Sequence, residues 1–88
     1  MLGTKSVTPQ SAFGRVLRDL RKSRGLSQEA LAYEAEVQRN FVSLIERGHN
    51  QPSIGTLWKL AGALQVRPSA IIEDVERIMV PEADSKSA

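Results

Sequence analysis

The sequence predicts an all-α domain of five helices, on three observations. Apolar residues recur at helical spacing in five successive stretches of the 88-residue chain. A side chain that accepts at a helix start, or a proline, heads most of those stretches. No stretch alternates apolar and polar residues with a strand's period of two, and no internal repeat or low-complexity tract breaks the pattern.

The first helix starts at Thr8-Pro9, where Thr accepts from freed backbone N–H groups and Pro suits the first helical position. Phe13, Val16, Leu17 and Leu20 form its apolar face, Arg15, Arg18 and Lys22 a basic stripe, and Gly25 its left-handed stop. Ser27 caps the second helix, expected over Gln28–Glu34, with Glu29 in its first turn and a narrow face of Ala30, Leu31 and Ala35. Val37 returns to the core. A third helix, Arg39–Arg47, then carries Val42 and Ile45 inward with Phe41 at the border, until Gly48 ends it. Two short helices joined by about four residues have the spacing of a helix-turn-helix.

The fourth helix follows the polar loop His49-Asn50-Gln51-Pro52. Ser53 caps it, and Ile54, Leu57, Leu60, Ala61 and Leu64 are its apolar residues. Val66 links it to a fifth helix headed by Pro68, with Ile71, Ile72, Val75, Ile78 and Met79 apolar. That set spans a wide arc for a helix followed by a polar tail, so part of it is expected to face a partner. Residues 1–7 are expected to be a flexible arm, 8–80 the folded domain and 81–88 a disordered tail.

Composition excludes several function classes. Forty-one per cent hydrophobic residues and a net charge of +2 argue against wholesale disorder. With no Cys and one His, disulfides, thiol catalysis, cysteine zinc sites and multi-histidine metal sites are ruled out. A Gly-rich phosphate cradle and a recognisable acid pair are also missing, so neither an enzyme, a metal, a cofactor nor a small-molecule ligand is expected. No apolar run approaches the roughly 18 residues of a membrane span, and MLGTKSVTPQ lacks a signal peptide's apolar core, so the expected compartment is the cytoplasm. Charge is uneven. Residues 1–51 carry eight basic against five acidic side chains, while residues 52–88 carry four against five. A basic first half fits a nucleic-acid face opposed to a self-association face.

Five segments together resemble one family. They are LSQEALA at 26–32, Val37-Gln38-Arg39, VSLIERG at 42–48, Pro52-Ser53-Ile54-Gly55-Thr56-Leu57, and LAGALQV at 60–66. The combination resembles the phage-repressor and Cro-like helix-turn-helix family over roughly residues 11–75. The short length and the segment RNFVSLIERG look most like the controller proteins of restriction–modification systems, with small phage and plasmid repressors sharing the same segment. The resemblance implies a five-helix, lambda-repressor-like DNA-binding domain whose second and third helices form the helix-turn-helix. Two positions depart from the family pattern: Glu36 stands where the turn usually has Gly, and Gln38 where the recognition-helix cap is usually Ser or Thr.

On that resemblance the third helix enters the major groove, where each base pair shows a distinct donor and acceptor pattern. Gln38, Arg39, Asn40 and, a turn later, Ser43 and Leu44 are the expected base readers. Arg39 suits guanine, Asn40 or Gln38 suits adenine, and Leu44 either meets a thymine methyl or is simply exposed. Backbone contacts are expected from Gln28, Arg47, Asn50, Gln51 and Ser53, with capping the main role of Ser53. Phe41 either packs on the core edge or touches the sugar backbone. Arg21 and Glu46 occupy positions where the family places an ion pair between the first and third helices. Trp58, Ile71, Ile72, Val75, Ile78 and Met79 are the expected dimer surface, because one recognition helix binds too weakly alone. A homodimer on inverted-repeat double-stranded DNA is the leading expectation. An antitoxin or adaptor whose main partner is another protein is the alternative.

Overall fold

Local sequence chemistry sets where each helix begins. The computed structural model describes residues 7–80, so the expected tail and all but Val7 of the expected arm lie outside the described residues. The helices are α1 (Pro9–Ser23), α2 (Gln28–Ala35), α3 (Arg39–Glu46), α4 (Ile54–Leu64) and α5 (Pro68–Met79). Thr8 Oγ1 accepts from the Ser11 N–H at 3.0 Å, Ser27 Oγ from Ala30 at 2.9 Å and Ser53 Oγ from Thr56 at 3.1 Å. Each of these bonds satisfies a donor that the helix itself cannot. Gln38 and Arg67, at the heads of α3 and α5, make no such bond.

The first four helices end alike. Leu26 donates to Arg21 C=O at 3.1 Å, Val37 to Ala32 at 2.9 Å, His49 to Leu44 at 2.9 Å and Val66 to Ala61 at 3.0 Å. Each reverse bond spans one left-handed residue, the arrangement of a Schellman closure. Two of those residues are Gly25 (φ 71°) and Gly48 (φ 77°), but the others are Glu36 (φ 61°) and Gln65 (φ 59°). The departure at Glu36 therefore leaves the turn geometry intact and places an ordinary side chain in a conformation that glycine tolerates better.

α1 packs on α3 and α5, α2 on α3 and α4, and α4 on α5. Leu17, Leu31, Val42, Ile45, Leu60, Leu64 and Ile71 are the largest fully buried side chains and draw all five helices into one core. Gly14 is buried where α1 crosses α3. A Cβ added there would collide with the Ile45 carbonyl oxygen and lie 2.9 Å from that of Glu46. The two backbones meet so closely only because this residue has no side chain.

The fifth helix corrects the expected dimer surface. Ile71 is 0% exposed and Val75 9%, and both belong to the protomer core. Ile78 and Met79 are half-buried against that core, leaving Ile72 as the open apolar residue of the five. The reason is the neighbour: α1 and α4 lie against α5 and take up the side of the arc carrying residues 71 and 75. Ile54 differs in the other direction. Expected on the apolar face of α4, it is 71% exposed, one turn from the exposed Trp58.

Candidate nucleic-acid interface

The recognition helix is oriented by a polar junction. Glu46, the last residue of α3, has a side chain only 4% exposed and faces Arg21 of α1, whose side chain is 11% exposed. The carboxylate accepts from Arg21 Nε at 2.6 Å and from Arg21 Nη2 at 3.0 Å, a bidentate pair that fixes both distance and plane. Arg21 Nη1 donates in turn to the Leu26 carbonyl at 2.9 Å, so the guanidinium is held from two sides. The Glu46 hydrogen bond raises the Arg21 pKa above its ordinary value, outweighing the opposing effect of burial. No buried side-chain nitrogen or oxygen among the described residues lacks a partner. A second tie comes from Gln10 at the start of α1, whose amide donates to the Gly48 carbonyl just beyond α3.

With Val42 and Ile45 turned inward, the opposite face of α3 is open. Gln38, Arg39 and Asn40 are exposed at its N-terminal end, and Ser43 and Leu44 follow half-buried one turn later. Arg39 makes no ion pair among the described residues. Because Gln38 provides no side-chain cap, the first N–H groups of α3 stay available to an outside acceptor. The structure thus places Arg39, Asn40, Ser43 and Leu44 along the face of α3 opposite Val42 and Ile45, with Gln38 at its head. Phe41 packs against the edge of the core and stays partly exposed.

The expected backbone contacts divide. Arg47 and Gln51 are exposed beyond the end of α3, and Asn50 is half-buried in the same loop. Ser53 is exposed, but its hydroxyl is committed to Thr56: it accepts from the N–H and donates to Oγ1 at 3.1 Å. Gln28 is half-buried, and its amide nitrogen donates to Glu46 Oε1 at 3.0 Å, within the junction. Gln10 and Gly14 were not singled out from the sequence. Gly14 carried a readable signal, since a glycine inside an otherwise regular helix costs about 1 kcal/mol relative to Ala and so implies a close approach. Gln10 carried none.

No helix among the described residues is long and apolar enough to cross a membrane. Comparison with known proteins gives a consistent result. A family model described as helix-turn-helix matches residues 17–71. The chain is 36% identical over 74 residues to the immunity repressor protein of Bacillus phage phi105, covering 84% of this chain and 51% of that protein. It is 37% identical over 62 residues to the control protein C.BamHI of Bacillus amyloliquefaciens, covering 69% of this chain and 76% of that one. Among solved structures it resembles the restriction–modification controller protein C.AhdI from Aeromonas hydrophila, with a TM-score of 0.69 and 40% identity over 70% of this chain and 94% of that chain. The chain spans about half the length of the phage repressor, and the residues matched by the family model include α2, the turn and α3. An open α3 face on a buried polar hinge, and a family match across more than half of its length, make this chain a member of the helix-turn-helix family of DNA-binding transcription regulators.

Proposed function

We propose that the chain is a sequence-specific regulator that binds inverted-repeat operators as a homodimer, in the manner of a restriction–modification controller acting on its own promoter. The observation that carries this reading is the open end of α3, where Gln38, Arg39 and Asn40 stand exposed together at the head of a helix whose other end is locked. Arg39 bonds guanine O6 and N7, and Asn40 or Gln38 bonds adenine N6 and N7. Ser43 and Leu44 extend the read by one turn. Arg47, Asn50 and Gln51 hold the phosphate backbone and set the register. The activity is binding alone, without catalysis or cofactor, and its place is the cytoplasm, where the operator is.

Pairing is supported by what α4 and α5 leave uncovered. Ile54 (71% exposed), Trp58 (60%) and Ile72 (46%) are the large apolar side chains open on these two helices before the last turn of α5. Aromatic anchors of this kind are enriched in protein interfaces. The proposed dimer surface is therefore Trp58 with Ile54 and Ile72, bordered by Ile78 and Met79.

The test is a binding selection from a randomised duplex pool near physiological salt, with the retained sequences read out. The expected result is an inverted repeat with half-sites about one helical turn apart, roughly 34 Å. Against that operator, Arg39→Ala should cost about 1–3 kcal/mol and relax preference at one base position. Retention without enrichment would sink the reading and assign the Trp58 surface to a different protein.

A further inference from the structure

The uncovered surface of α4 and α5 carries charges of opposite sign. α4 has one charged residue, Lys59, which follows Trp58 and is exposed. α5 has four, of which Asp74 and Arg77 pair with each other at 2.7 Å, leaving Glu73 and Glu76. Glu76 is exposed and lies one turn beyond Ile72, whereas Glu73 lies about 100° round the helix from it. Neither Lys59 nor Glu76 makes an ion pair among the described residues, although α4 packs on α5. The open apolar group of Trp58, Ile54 and Ile72 thus has an unpaired base beside it on one helix and an unpaired acid beside it on the other. α4 also holds a glycine on each side of Trp58. Gly55 precedes it by three residues and Gly62 follows it by four, so both share its side of the helix. A Cβ added at Gly62 would meet nothing within 4 Å, and one at Gly55 only Ser53 Oγ at 3.9 Å. Packing within the protomer therefore requires glycine at neither position, although only proline is a poorer helix former. Bare backbone beside an exposed tryptophan suits the close approach of another surface.

We propose that a second copy of this chain covers Trp58, and that Lys59 of each protomer pairs with Glu76 of the partner subunit. The proposal rests on the homodimer reading above and names the contacts that select the partner. In a two-fold interface every contact occurs twice with the roles exchanged, so a surface that meets itself must carry both members of any charge pair. This surface carries both, on either helix of one apolar group. Exposed ion pairs add little affinity, but like charges brought together across an interface exclude wrong pairings and fix the register.

The test is sedimentation equilibrium on Lys59→Glu, on Glu76→Lys and on an equimolar mixture of the two. Each variant alone should self-associate about thirtyfold more weakly than wild type, because the symmetry sets two like-charge contacts in every dimer. In the mixture both contacts again join opposite charges, so association should return to within about threefold of wild type. Single variants that associate like wild type would overturn the proposal. So would single variants that are weakened but do not recover on mixing, because the two residues then do not meet. Gly62→Gln checks the placement over Trp58 without touching a charge. It puts a good helix former into space that is open in the protomer, so Tm of the monomer should not fall while association weakens at least about tenfold. Unaltered association would overturn that placement. A wild-type chain that stays monomeric at every concentration would remove the homodimer reading first, and this inference with it.

Discussion

Where α1, α2 and α3 meet, the contact is polar, closed and complete. Arg21, Gln28 and Glu46 satisfy one another, and the Glu46 side chain is 4% exposed. Where α4 packs on α5, the outer surface leaves large apolar side chains open among charged ones, with Trp58 and Ile54 more than half exposed. The difference follows from what each region has to do. Hydrogen bonds to a buried carboxylate are directional, so they fix an angle at the cost of desolvating charge. Apolar area is non-directional and gains free energy only when covered, so it suits a surface awaiting a partner. One region sets where α3 points; the other carries the apolar surface proposed to seat a second copy.

The largest break in that comparison should come from Glu46→Ala. It strands a guanidinium that is nearly buried and removes the acceptor of Gln28, at an expected cost of about 3–5 kcal/mol. Urea denaturation followed by circular dichroism would measure it. A loss below about 1 kcal/mol would mean the junction is far better hydrated than its burial implies. Gly14→Ala attacks the same crossing without touching a charge. Its Cβ would meet two backbone carbonyls that cannot rotate away, so about 3 kcal/mol should be lost and α3 displaced. The same denaturation series checks it, and an unchanged midpoint would show that α1 and α3 can separate freely.

Trp58→Ala tests the open region and should reverse the pattern. Protomer stability, measured at concentrations where both proteins are monomeric, should change by no more than about 1 kcal/mol, because Trp58 is 60% exposed. Self-association should weaken by about 2 kcal/mol or more, roughly thirtyfold, as for an aromatic interface anchor. Sedimentation equilibrium separates the two effects. Unaltered association would move the dimer surface away from α4.

How far the sequence could reach differs by feature. The caps Thr8, Ser27 and Ser53 and the stops Gly25 and Gly48 were legible because each acts within three or four residues of itself. The α3 face was legible because Val42 and Ile45 fix which side is inward. The surface of α5 was not. Residues 71, 72, 75, 78 and 79 fall within one arc of about 120°, so periodicity groups them on a single face without dividing it between protomer core and partner; only the placement of α1 and α4 excludes Ile71 and Val75. The Gln28–Glu46 bond was not legible for a similar reason: it joins side chains 18 residues apart in sequence, which only the fold brings together.

The smallest expected effect compares the two regions under one chemical change. Each contains a non-glycine residue in the left-handed conformation: Glu36 closes α2, and Gln65 closes α4. Strain there is worth about 1–2 kcal/mol for an ordinary residue, partly offset because glycine loosens the unfolded chain by about 0.4–1 kcal/mol. Glu36→Gly should therefore stabilise the domain by about 0.5–1 kcal/mol, a rise of a few degrees in Tm by calorimetry for a domain of this size. Gln65→Gly should yield less, because Gln65 Oε1 accepts from Arg24 Nη2 at 2.8 Å and that exposed bond is lost. If Glu36→Gly instead lowers Tm, the Glu36 side chain contributes more than its open position shows. If both changes raise Tm but only Glu36→Gly weakens operator binding, a stiff turn between α2 and α3 is part of how the recognition helix is aimed, and the polar junction does not hold that angle alone.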